Sequence, residues 1–159
     1  MAEPIPALTI WQPWASLIAE GIKVWEFRSW PPPQAYVGGR IAIHAGARPI
    51  RMAEVAGLIR CLANDRWRQL GLVDPSRALA ILDRDEASFR DLPRACVIAT
   101  ATLGRPFRGY KLAWELAPGF DWAGEPTNWG YPLTGVRRLE PFEPALGRHR
   151  FWNWRSANG

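Results

Sequence analysis

Cysteine, histidine and lysine are each scarce in this chain. Two cysteines, two histidines and two lysines, Lys23 and Lys111, occur in 159 residues. Cys61 and Cys96 stand far apart in sequence. They make neither a disulfide framework nor a zinc site, and a reduced, cytoplasmic setting is expected. With His44 and His149 also widely separated, no metal site is expected. HExxH, CxxC, GxSxG, Walker A and GxGxxG arrangements are all missing, so no cofactor is expected. No apolar run is long enough to cross a bilayer, and the first residues lack the basic stretch and apolar run of a signal peptide. A membrane partner is therefore not expected. No internal repeat or linker interrupts the chain, and the length fits one domain over 1–159, expected to be a monomer.

Tryptophan and arginine are abundant instead. Ten tryptophans occur, and eighteen of the twenty basic residues are arginine; the net charge is +5. A basic balance favours polyanionic partners. Arginine suits bidentate phosphate contacts and stacking on bases. A GC-rich coding bias would produce the same excess. Most of the tryptophans are expected in the core. Trp14, Trp25, Trp30, Trp129 and Trp152 lie beside polar motifs and are the ones to weigh as stacking surfaces.

Hydrophobic periodicity predicts the elements. Residues 7–10 read as a strand. A helix starts at Gln12-Pro13-Trp14, with Leu17 and Ile18 on its apolar side and Gly21 as C-cap. Residues 24–29 form a second strand, broken by Pro31-Pro32-Pro33. Residues 40–44 form a third. Val55, Leu58, Ile59 and Leu62 mark one face of a helix after Pro49. A single helix is expected over 77–90. The β-branched run in 95–103 is the clearest long strand. Residues 111–116 read as a short strand or one turn, and 117–130 as a long loop. The last strands are expected at 131–139 and 148–154. Strands at both ends with helices between predict an α+β fold, a small mixed β-barrel that pairs its termini.

One segment carries a specific pattern. Trp11-Gln12-Pro13-Trp14-Ala15-Ser16-Leu17-Ile18 is followed by Gly21-Ile22-Lys23 and then Glu26-Phe27-Arg28-Ser29-Trp30. This resembles the ASCH (activating signal cointegrator homology) family, whose members share a Gln-Pro-Trp/Tyr-Ala helix start, a Gly-x-Lys turn and Glu-x-Arg on the next strand. Ile41-Ala42-Ile43-His44-Ala45 and the ending Arg150-Phe151-Trp152-Asn153-Trp154 are also similar to family strands. The match is specific over 8–48; residues 50–93 carry no family motif. The resemblance implies a PUA-like mixed β-barrel with flanking helices and a cleft beside the first helix, near the Gly-x-Lys turn. It associates the chain with RNA and coactivator biology. Some small bacterial members remove an acyl group from modified cytidine, another is reported as a ribonuclease, and PUA-like relatives read modified bases. In the amidohydrolase members a threonine nucleophile stands three residues after the lysine. Glu26 occupies that position here, and a carboxylate cannot simply replace a hydroxyl nucleophile.

Glu26 and Arg28, two apart on a strand, face one side, and Trp30 shares it if the strand runs on. A carboxylate accepts from an exocyclic amine, while a guanidinium donates to base or phosphate oxygens. The same two residues could equally form an ion pair that closes the barrel. Lys23 reaches that side only from the turn before the strand, which Gly21 permits. There it could contact phosphate, act as nucleophile or base if desolvated, or remain a solvated turn lysine. His44 is suited to acid–base work near neutral pH, and equally to a structural role. His149, in Gly147-Arg148-His149-Arg150, lies in a basic turn. Trp129 and Tyr131 end the long loop and could stack on a ligand or merely seal the barrel.

Three function classes follow. In the first, a binding module, Trp14 or Trp30 packs on a base and Glu26 and Arg28 read it, while Lys23, Arg48 and Arg51 hold phosphate. Its partner is RNA, DNA, a nucleotide or a modified nucleoside. In the second, a hydrolase of modified nucleosides or RNA, Lys23 and Glu26 are the catalytic pair. In the third, a protein adaptor, tryptophans form the partner surface.

Overall fold

A computed structural model describes residues 2–159. Six strands form one mixed sheet in the order β2-β5-β4-β3-β1-β6. β1 (Ile5–Ile10) pairs in parallel with β3 (Arg40–Ala45), and antiparallel with β6 (Phe151–Trp154). The two ends of the chain thus lie side by side, as the strand pattern predicts. β4 (Cys96–Leu103) joins β3 to β5 (Trp129–Pro144). β5 serves two partners. Its first four residues pair with β2 (Trp25–Arg28) and the rest run along β4, where two register shifts bend the ladder. Such irregularities sharpen twist and let a sheet curl. The result is a half-barrel flanked by five helices, the α+β class expected.

β2 and β6 are the sheet's two edges. Side chains fill the seam between them. Tyr131 on β5 stacks on Phe151 at 6.5 Å, and Trp30 meets Phe151 edge-on at 6.0 Å. The Arg28 guanidinium crosses the seam to donate to the Thr9 carbonyl at 2.7 Å.

Helix α1 (Trp14–Ala19) explains the helical region that carries no motif. Its Ala15 and Ile18 face the barrel core with Leu8, Ile43, Ile98 and Leu133. Leu17 and the following Ile22 face the other way, into a second cluster with Val55, Leu58, Leu82 and Phe89. Val55 and Leu58 come from α2 (Met52–Ala63). A helix apolar on two sides needs a second cover, and residues 50–93 supply it.

Three element predictions are corrected. The helix expected over 77–90 is two, α3 (Pro75–Leu82) and α4 (Glu86–Phe89). The first ends in a C-cap at Asp83, and Asp85 caps the second by accepting from the Ser88 amide at 2.7 Å. Residues 111–116 belong to a helix, α5 (Gly109–Leu116), which buries Leu112 and Ala113 on one side. The strand expected over 131–139 starts earlier and runs on to Pro144, because both β2 and β4 offer it partners.

Candidate functional site

The helix start is fixed by Gln12, which is almost fully buried. Its side-chain oxygen accepts from the Ser16 amide at 3.0 Å, and its nitrogen donates to the Ser16 hydroxyl at 2.8 Å and the Pro93 carbonyl at 2.7 Å. This caps α1 and ties it to the chain entering β4. At the far end Gly21 adopts φ 71°, the left-handed conformation that favours glycine, and the amides of Ile22 and Lys23 both donate to the Leu17 carbonyl. That cap sets Lys23 in the turn before β2.

Lys23 is buried, with only 3% of its surface exposed. Its ammonium donates to the carbonyls of Trp25 and of Leu70, the latter at 3.1 Å. It stands 4.4 Å from the Phe27 ring centroid and 3.9 Å from Glu26 Oε2. Burial lowers its pKa from 10.5 to about 8, although the Glu26 carboxylate pulls it upward. Glu26 sits between two cations, because Arg28 Nε donates to its other oxygen at 3.2 Å.

Glu26 and Arg28 share one strand face and line a cavity of about 560 Å³ at the barrel seam. Thr9 and His44 line it from β1 and β3, Trp11 and Trp14 from the start of α1, and residues 145–150 form its outer lip. Lys23 lies behind it, in a smaller hollow of about 210 Å³ that shares Trp14, Glu26 and Phe27.

His44 anchors the lip. Its Nε2 faces the Ala145 carbonyl at 2.8 Å, and its Nδ1 faces Thr9 Oγ1 at 3.1 Å. A carbonyl only accepts, so Nε2 carries the proton and the Thr9 hydroxyl donates to Nδ1. The Trp152 indole in turn donates to Thr9 Oγ1 at 3.1 Å. Burial lowers the His44 pKa below its usual value, in keeping with the neutral ring. Gly147 lies directly over the pair. A β-carbon there would collide with both the His44 ring and Thr9 Oγ1. This network links β6, β1, β3 and the lip at one point.

The lip carries Arg148, His149 and Arg150, all exposed. Arg150 holds φ 58°, a left-handed value uncommon outside glycine. Its guanidinium lies 5.0 Å from the Trp30 ring centroid, with that of Arg28 5.9 Å from the same ring. Among the described residues, no acidic side chain forms an ion pair with Arg148 or Arg150.

Of the residues singled out in the sequence, Trp14, Glu26, Arg28, His44 and His149 meet at this cleft. Lys23 touches it through Glu26, and Trp30 through the two arginines. Tyr131 is fully buried; its hydroxyl donates to the Trp30 carbonyl, and burial drives its pKa upward. Trp129 sits opposite Arg28 in the β2–β5 ladder, beneath the Arg108 guanidinium, outside the cleft lining. Arg48 and Arg51 are also outside that lining, and both pair with Glu54. Thr9 and Trp11 line the cleft without having been singled out. Period-two spacing from Trp11 back along the strand is the one signal that groups them.

No curated protein sequence matches the chain. Solved structures of the ASCH protein of Zymomonas mobilis align with it at 14% identity. The unmutated form covers 84% of this chain and 68% of that one, with a TM-score of 0.41. Two point mutants of that protein give TM-scores of 0.43, over 84% and 69% of the two chains, and 0.41, over 86% and 76%. The sequence profile of the ASCH domain matches residues 8–117, which takes in the cap, the turn, β2, β3 and the helical cover. The chain belongs to the ASCH domain family, a PUA-like family associated with RNA binding.

Proposed function

We propose that the seam cleft binds single-stranded RNA or DNA by one base, with the lip arginines on its phosphates. The observation that carries this reading is a buried carboxylate at the floor of a cleft whose rim arginines, among the described residues, have no acidic partners. Glu26 accepts from an exocyclic amine and Arg28 donates to a base oxygen. Arg148, His149 and Arg150 meet the phosphates, and Trp14 packs beside the base. Binding should weaken as salt rises, because each neutralised phosphate releases counterions. The test is fluorescence anisotropy with labelled single-stranded RNA and DNA across salt concentrations. Arg148→Ala and Arg150→Ala should each flatten the log–log salt slope by about 0.7. Absence of affinity at low salt for every RNA, DNA and modified nucleoside tried would defeat the reading.

A hydrolytic reading rests on a different observation, the lowered pKa of Lys23 beside Glu26. Here Glu26 acts as general base toward water and Lys23 tunes it. Lys23→Ala would then abolish product formation from acylated nucleosides or RNA while binding persists. Failure of the unaltered protein to yield product from such a panel removes this reading and leaves the binding one intact.

A further inference from the structure

Trp11 is a large side chain left half in water. It is 52% exposed, although it lies in the segment that also provides the buried Gln12 and Pro13. Its surroundings hold it in place. The Arg48 guanidinium stacks on its ring at 3.6 Å from the centroid. Arg48 is itself fixed by two hydrogen bonds to Glu54, at 2.7 and 3.3 Å. Its Nε is buried with no hydrogen-bond partner in the described residues, a polar atom given up to the stack. At the ring edge Gly46 approaches so closely that a β-carbon would stand 3.0 Å from Cδ1. One face of the indole is therefore covered and its edge is braced. More than half of the residue nevertheless stays exposed, and it lines the cleft together with Glu26 and Arg28.

We infer that Trp11 is a stacking platform for a second base, so that the cleft takes a strand of two or more nucleotides rather than a free nucleotide. This rests on the binding reading above. A braced aromatic loses little freedom when a base stacks on it, and any base has a face to offer. The position also fits. Arg28 reaches the Thr9 carbonyl, and Trp11 lies two residues further along the same extended chain, about 7 Å away. A base read by Glu26 and Arg28 therefore has the indole beside it. Tyr110 and Trp114 on α5 are also exposed, but they line a separate hollow with Phe120 and Trp122, without an arginine.

The experiment compares a mononucleotide, a dinucleotide, and a dinucleotide whose second site is abasic. Each is measured against the unaltered protein, Trp11→Ala and Trp11→Phe. In the unaltered protein the second base should tighten binding about ten-fold over the abasic ligand. Trp11→Ala should erase that gain and keep the salt slope, since no phosphate contact is lost; Trp11→Phe should keep most of the gain. If Trp11→Ala retains the gain, or the second base adds nothing, the platform is overturned while the cleft reading stands. If the unaltered protein binds none of the three ligands, the cleft reading fails and takes the platform with it.

Discussion

Two regions of this molecule bring arginine and aromatic side chains together, and they use them differently. One is the seam cleft. The other is a groove of about 430 Å³ behind α1, lined by Arg77, Arg84 and Arg138 with Ile81 and Phe142. In the groove the charges are largely satisfied internally. Arg138 pairs with both Glu20 and Glu140 while lying over Phe142, and Arg77 donates to the Glu20 carbonyl at 2.9 Å. In the cleft, among the described residues, only Arg28 of the arginines has an acid partner, and that acid is shared with a buried lysine. Composition cannot distinguish these regions. The difference lies in where acids fall relative to arginines in space. Arginines held by neighbouring carboxylates build a surface, while arginines gathered around a single carboxylate leave a field for an anion.

The largest expected contrast comes from truncating one arginine in each region. Arg28→Ala removes the bond across the seam and half the pairing of a buried carboxylate. It should cost about 1.5–3 kcal/mol of binding, the range for a hydrogen bond made by a charged donor. Anisotropy titration measures the loss, and chemical denaturation should show reduced stability beside it. An Arg28→Ala protein that binds as before would erase the distinction drawn here.

The next effect concerns Lys23, the buried cation on the cleft side. Its folded pKa is about 8, against 10.5 for an unperturbed lysine. Below pH 8 both states are charged and the cost of burial is fully present. From pH 8 upward the unfolded chain holds more protons, so stability should rise, by at most about 1.4 kcal/mol per pH unit. Tyr131 opposes this above pH 10, because its raised pKa keeps it neutral in the fold while the unfolded tyrosine ionises. Denaturation between pH 7 and 10 should therefore show a rising limb, which Lys23→Met flattens. A flat profile in the unaltered protein would place the ammonium in water.

Gly147→Ala tests whether the lip is held as the His44 network implies. Adding a methyl against His44 and Thr9 should destabilise by about 1–3 kcal/mol. It should also weaken ligand binding by displacing Arg148 and Arg150. Unchanged melting temperature and affinity would mean that the lip moves freely off His44.

The smallest effect is expected in the groove. Arg138 is an exposed side chain, so Arg138→Ala should change stability by no more than about 1 kcal/mol. It should leave nucleic-acid affinity and its salt slope unaltered. A binding loss there equal to that of Arg28→Ala would move the proposed nucleic-acid site from the cleft to the groove.

The legible part of the site was short-range. Glu26 and Arg28 fall on one side because strand side chains alternate; β2 ends at Arg28, so Trp30 meets them by packing in the seam rather than by alternation, and Lys23 reaches Glu26 because Gly21 permits the turn. The helix start at Gln12-Pro13-Trp14 was readable, but the task of Gln12 was not, since its partner Pro93 is 81 residues away. The start of a new helix at Asp85 is readable in principle from an aspartate three residues before Ser88, yet the apolar spacing across 77–90 masks it. Residues 111–116 alone hold too little periodicity to separate strand, turn and helix, which is why α5 is not legible there. Thr9 stayed hidden because its partners, His44 and Trp152, are 35 and 143 residues distant.

By itself the sequence determined the family, the strand face bearing Glu26 and Arg28, and the turn that delivers Lys23. Each depends on spacings of a few residues, where backbone geometry fixes which side chains meet. Tertiary structure alone decided which arginines face a carboxylate and which face the cleft. It also set the lip over His44 and left Trp11 half exposed beside Arg48. Those outcomes depend on β1 pairing with both β3 and β6, and on α2 bringing Glu54 to Arg48. They are contacts between distant parts of the chain, and local spacing carries no record of them.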